Sequence, residues 1–182
     1  SEPGKLNFYK WGLIPSWAKD PKISYKLINT RAESISEKPS FKNAFKKRRC
    51  LVLANGFFEW QKDEHKTPFR IFLKTEEVFS MAGIWETWKD AEGRPVNSFS
   101  IITTTPNSLM ENIHNRMPVI LPPAMEETWL NETSEEALKN LLIPFSSSKM
   151  EAYPVSKKVN SPANNDASLI LPVEKLEQGL LF

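Results

Sequence analysis

The stretch CLVLANGFFEW, residues 50–60, decides which fold class this chain can adopt. Apolar and aromatic residues flank Asn55-Gly56, a dipeptide that favours turns. Runs this short, bordered by turn residues, suit strands better than helices. Comparable runs follow closely: PFRIFLK from Pro68, VFSMAGIWETW from Val78, and the β-branched NSFSIITTTP, which Pro106 stops. A loop containing EGRP separates the last two. Together they predict an α+β fold with a β-rich, barrel-like core and a few peripheral helices.

The helices are legible from local signals. PSFKNAFKKRR sets Phe41 and Phe45 on one helical face and gathers cations in the last turn, where the helix dipole favours them. PPAMEETWL opens with prolines suited to a first turn. TSEEALKNLL offers Thr133 as N-cap with Glu136 three residues later, a capping box. The tail from Tyr153 to Phe182 carries the polar NSPANNDAS and is expected to wrap the surface. No repeat, low-complexity tract or break in composition divides the chain, which predicts a single domain over residues 1–182.

Composition narrows the function classes. The chain has 182 residues, 40% hydrophobic and 25% charged, as in an ordinary globular protein that needs no metal or disulfide to fold. Cys50 is the sole cysteine, so an intramolecular disulfide and a thiolate-rich zinc site are excluded. No stretch approaches the roughly 18 apolar residues of a membrane span, and no signal segment opens the sequence. These features predict a cytoplasmic monomer without cofactor or metal. A net charge of +2 is too mild to identify a nucleic-acid partner by itself.

Three polar islands in apolar surroundings hold the candidate chemistry. In LINTRAES, strand alternation would place Asn29 and Arg31 on one face and Ile28 on the other. An amide beside a guanidinium can grip a phosphate or carboxylate; alternatively Asn29 caps a turn and Arg31 pairs with Glu33. In ANGFFEW, Glu59 stands between Phe58 and Trp60. Desolvation would raise its pKa and suit it to acid–base work; alternatively it points to solvent while its neighbours face the core. In ENIHNRMPVIL, His114 is the one histidine in an apolar-flanked loop, since His65 lies in the charged run KDEHK. Histidine can move protons near neutrality, Arg116 could hold an anion, and Pro118 would stiffen the segment; alternatively His114 is a hydrogen-bonded structural residue. Trp11 and Trp17 offer flat surfaces for nucleobases, and KNAFKKRR could follow a phosphate backbone or simply form a solvated helix end.

WGLIPSWA, NTRAE, RRCLVLANGFFEW, AGIWE and IHNRMPVIL occur in an order and spacing that resembles the SOS response-associated peptidase (SRAP) family, from Trp11 to Val159-Asn160. The resemblance implies a compact α+β fold with a positive cleft for single-stranded DNA. It also implies recognition of abasic sites, and a thiazolidine crosslink formed through an N-terminal cysteine that is associated with autoproteolytic processing. By motif position, Asn29, Glu59 and His114 are expected around the reacting amine and sugar. Asn29 would orient, Glu59 would exchange protons during imine chemistry, and His114 would assist ring opening. Arg31 and Arg116 look like phosphate holders, Ile28 like a wedge beside the gap and Trp11 like a stacking platform. The chemistry requires no metal or organic cofactor.

The family's Met-Cys-Gly start is absent from these residues, and Cys50, expected to be buried and inert, is no substitute. The 182-residue chain is therefore expected to bind abasic single-stranded DNA without forming the crosslink. Two other readings stand beside this one: a noncatalytic single-stranded nucleic-acid-binding module, and a thiol peptidase acting on proteins.

Overall fold

The computed structural model describes residues 5–62, 64–75 and 78–173. In chain order the elements are β1 (Lys10–Trp11), β2 (Asn29–Arg31), α1 (Lys42–Lys47), β3 (Arg49–Ala54), β4 (Phe57–Trp60), β5 (Pro68–Leu73) and β6 (Phe79–Lys89). There follow β7 (Pro95–Thr104), β8 (Met117–Pro118), β9 (Ile120–Leu121), α2 (Pro123–Asn131), α3 (Glu135–Asn140) and β10 (Met150–Pro154). Short 3-10 turns link many of them. The class is α+β, as expected, but the strands form two open sheets and no closed barrel among the described residues.

The chain groups into two compact units, each drawn from three separate stretches. The first holds the residues up to Ala54, Phe79–Thr105 and Arg116–Phe145; the second holds Asn55–Val78, Pro106–Asn115 and the residues from Ser146 onward. CLVLANGFFEW is accordingly two strands in two sheets. β3 pairs with β6 in the first unit, and β4 pairs with β5 in the second. The Asn55-Gly56 turn signal marks the point of transfer.

In the first unit, β7 and β6 run antiparallel through the centre of a seven-stranded sheet. Phe79 to Ile84 of β6 are buried without alternation, as befits a strand covered on both faces. Gly83 is required there, since a Cβ would lie 2.8 Å from Val52 Cγ2 and 2.9 Å from Cys50 Sγ. β7 alternates instead: Ser98, Ser100, Ile102 and Thr104 are buried on one face. A core of Leu13, Phe41, Phe45, Ile84, Ile102 and Trp129 holds this unit together. Phe45 of α1 and Phe41, the N-cap residue just before it, are both buried, as their spacing predicted.

The N-cap of α3 is Ser134, not Thr133. The Glu132 carboxylate accepts the Thr133 and Ser134 amides at 2.6 and 2.7 Å, which leaves the Ser134 hydroxyl to cap the Ala137 amide. In the second unit, β10, β5 and β4 form an antiparallel sheet in that order. The tail continues from β10 through two 3-10 turns, and Val155 bridges to Pro172. Its final residues, 174–182, lie outside the described residues.

Candidate functional site

The second unit brings Glu59 and His114 together. Alternation along β4 puts Phe57 and Glu59 on one face and Phe58 and Trp60 on the other. The carboxylate therefore points away from the face its aromatic neighbours occupy, and it is partly buried there. His114 Nδ1 lies 3.8 Å from Glu59 Oε1, and the two side chains remain 29% and 26% exposed. That separation is too long for a hydrogen bond but within range of an ionic attraction when the imidazole carries a proton. Burial pushes the Glu59 carboxyl above its usual range; His114, the Trp60 backbone and Lys62 offset part of the rise. A carboxyl group that takes up a proton readily, beside an imidazole, is equipped to exchange protons with a bound molecule.

The loop bearing His114 is internally braced. Asn107 Oδ1 accepts the Leu109 and Met110 amides at 3.1 and 3.0 Å, and the His114 amide donates to the Met110 carbonyl at 2.7 Å. Ser108 donates to Ser147 at 2.8 Å. Across the sheet, Arg70 donates to the Asn55 carbonyl at 3.0 Å and to the Tyr153 hydroxyl at 2.9 Å, fixing the entry to β4. Trp60, behind Glu59, donates its indole N–H to Asn160 Oδ1 at 2.7 Å. An open cavity of about 580 Å³ also lies in this unit, lined by Thr67, Pro68, Pro154, Val155 and Leu171 among others, but neither Glu59 nor His114 borders it.

The first unit assembles a different group. β1 and β2 both run parallel to β7, end to end along one of its edges. Trp11 pairs with Phe99, Asn29 with Ile101 and Arg31 with Thr103. Paired residues share a face, and positions 99, 101 and 103 alternate with the buried row of β7, so Trp11, Asn29 and Arg31 project together from the opposite face. Gly12 permits this turn of the chain: its φ is +106°, and a Cβ would lie 2.6 Å from the Ser24 carbonyl oxygen. The Trp11 indole donates to the Ile28 carbonyl at 2.9 Å, which holds the ring beside a side chain that is itself 39% exposed. Asn29 and Arg31 are both exposed and Asn29 does not cap the following turn; the charge of Arg31 contributes to lowering the Glu33 pKa.

Arg116 differs from the expectation of an open phosphate holder. Its guanidinium is bidentate to Glu33, at 2.6 and 3.0 Å, and also donates to the Thr103 carbonyl. That fork of donors lowers the Glu33 pKa. Glu33, which the sequence offered as a partner for Arg31, is therefore claimed by a residue 83 positions away. No periodicity in the sequence could have revealed this.

The basic run is likewise internal at its end. Arg48 pairs with Glu86, and Arg49 donates to the carbonyls of Phe45, Lys46, Trp129, Leu130 and Glu132. Lys46 lies 3.5 Å from Glu135. The run serves mainly to join α1, β3 and α2. Cys50 is shielded, and burial pushes its thiol up to about 12, so it remains protonated and unreactive at neutral pH.

No helix among the described residues is long and apolar enough to cross a membrane. The model of the family described as SOS response associated peptidase (SRAP) matches residues 1–162. The chain is 51% identical over 170 residues to the abasic site processing protein YoqW of Bacillus subtilis, covering 91% of this chain and 76% of that protein. It is 35% identical over 202 residues to the abasic site processing protein HMCES of Rattus norvegicus, covering 92% of this chain and 56% of that one. A crystal structure of a protein from Bacteroides thetaiotaomicron matches with a TM-score of 0.86 at 39% identity, over 91% of this chain and 75% of that one. By the extent of these matches, the chain belongs to the SRAP family.

Proposed function

We propose that this protein binds abasic sites in single-stranded DNA and processes them, acting as a cytoplasmic monomer. The observation that carries the reading is the half-buried Glu59, its proton affinity raised by burial, 3.8 Å from His114. An abasic sugar exchanges between a closed ring and an open aldehyde, and both ring opening and imine formation require protons to be delivered and withdrawn. His114 assists the opening, and Glu59 exchanges the protons of imine formation and its reversal. Trp11 stacks on a base beside the gap, Ile28 wedges against it, Asn29 orients the sugar or the nucleophile, and Arg31 holds a phosphate. Arg116 acts through Glu33, steadying the segment that follows Arg31. The family membership and the names of the relatives support the substrate class.

The crosslinking part of the reading needs an amine and a thiol on one N-terminal cysteine, which would form the thiazolidine and serve the associated peptidase activity. Cys50 carries no free α-amine and its thiol stays protonated. The experiment compares binding of the 182-residue chain to matched single strands with and without one abasic site. Tighter, noncovalent binding of the abasic strand is expected. Equal affinity for both, or an adduct that survives denaturation, would overturn this assignment for these residues.

A further inference from the structure

We infer that Gln61 is a positioning residue that keeps His114 in register with Glu59 by tying the histidine loop to the strand that carries the glutamate. Gln61 follows Glu59 by two residues, and its amide continues the hairpin by donating to the Thr67 carbonyl at 2.8 Å. It therefore shares a face with Glu59. Asn112 precedes His114 by the same interval, and Gln61 Nε2 donates to the Asn112 carbonyl at 3.0 Å. Residues 59 and 61 thus face residues 114 and 112 as two adjacent rungs. One rung depends on the charges its two members carry, and the other is a neutral hydrogen bond.

The neutral rung matters because the ionic one is intermittent. Whenever Glu59 is protonated or His114 is neutral, their attraction weakens, and at 3.8 Å they are beyond hydrogen-bond reach. An amide–carbonyl bond has no titrating group and persists throughout. The braces from Asn107, and the bond from the His114 amide to Met110, make the loop one block, so holding Asn112 holds His114. This inference rests on the reading of Glu59 and His114 as the acid–base couple. It adds a residue that never touches substrate.

The test is a titration of the Glu59 carboxyl carbon by NMR in the 182-residue chain, where His114 and Lys62 are the groups whose charges act to lower its proton affinity. His114→Ala removes a cation and is expected to move the Glu59 midpoint to higher pH. Gln61→Met, similar in length but unable to donate, is expected to move it the same way, with His114→Ala adding little in that background. The inference is overturned if Gln61→Met leaves the midpoint at its parental value, or if His114→Ala has its full effect in both backgrounds. It also falls if His114→Ala has no effect in the parent. A lower melting temperature would accompany a merely structural role, so the midpoint is the deciding measurement. Should Gln61→Met not fold, Gln61→Asn, one methylene short of the Asn112 carbonyl, poses the same question. No DNA is involved. A coupled midpoint without abasic preference would sink the proposed function alone, and abasic preference without coupling would sink this inference alone.

Discussion

In the proposed function, the Glu59–His114 couple and the Trp11–Arg31 face would answer opposite demands. Glu59 is half-buried, and loss of water raises its proton affinity. Asn29 and Arg31 stand exposed on a strand fixed by its pairing with β7. Proton exchange near neutrality requires a carboxyl group whose charged form is partly disfavoured, and desolvation supplies that. Holding a charged strand requires groups that stay open to solvent until the ligand arrives. The two acids Glu59 and Glu33 express the same division. Burial raises one, while the Arg116 fork lowers the other.

The largest expected effect tests the acid–base half. In a form of the protein that carries an N-terminal cysteine ahead of these residues, Glu59→Gln should slow adduct formation with abasic strands by about 10²-fold or more. Noncovalent affinity should change little. Single-turnover gels and equilibrium binding would separate the two, and equal losses in both would erase the distinction drawn above.

A smaller effect is expected on the exposed face. Trp11→Ala should weaken single-strand binding by about 1–3 kcal/mol, the worth of one stacked base. Arg31→Ala should reduce the slope of log affinity against log salt by about 0.7, the share of one phosphate on a single strand. Fluorescence anisotropy across a salt series measures both. An unchanged slope would mean that Arg31 meets no phosphate.

The smallest effects are on stability, and they carry opposite signs. Glu33 has a folded pKa below its unfolded value. Its contribution is therefore present at neutral pH and drains away as acid titrates the carboxylate, below about pH 4.5. Because Glu33 is largely exposed, Glu33→Gln should lower the melting temperature at pH 7 by no more than about 3 °C. Glu59 has a folded pKa above its unfolded value, so its contribution is present in acid and lost as pH rises through the folded pKa. Glu59→Gln should therefore raise the melting temperature at pH 7. A fall with both substitutions would show that Glu59 is a stabilising ion-pair partner rather than a tuned acid.

The sequence determined by itself those features that depend on neighbours along the chain. The strand runs, the shared burial of Phe41 and Phe45 at the start of α1, the strand break at Asn55-Gly56 and the five-motif resemblance were all legible, because alternation, helical spacing and turn chemistry act over a few residues. Only the tertiary structure decided what depends on distant partners. Burial in the folded chain raises the proton affinity of Glu59, which lies beside His114, 55 positions away, and Arg116 is claimed by Glu33 across 83 positions. CLVLANGFFEW divides between two sheets because its halves find different pairing strands, β6 and β5. Burial and electrostatic pairing are set by proximity in space, so they appear only once the chain has folded.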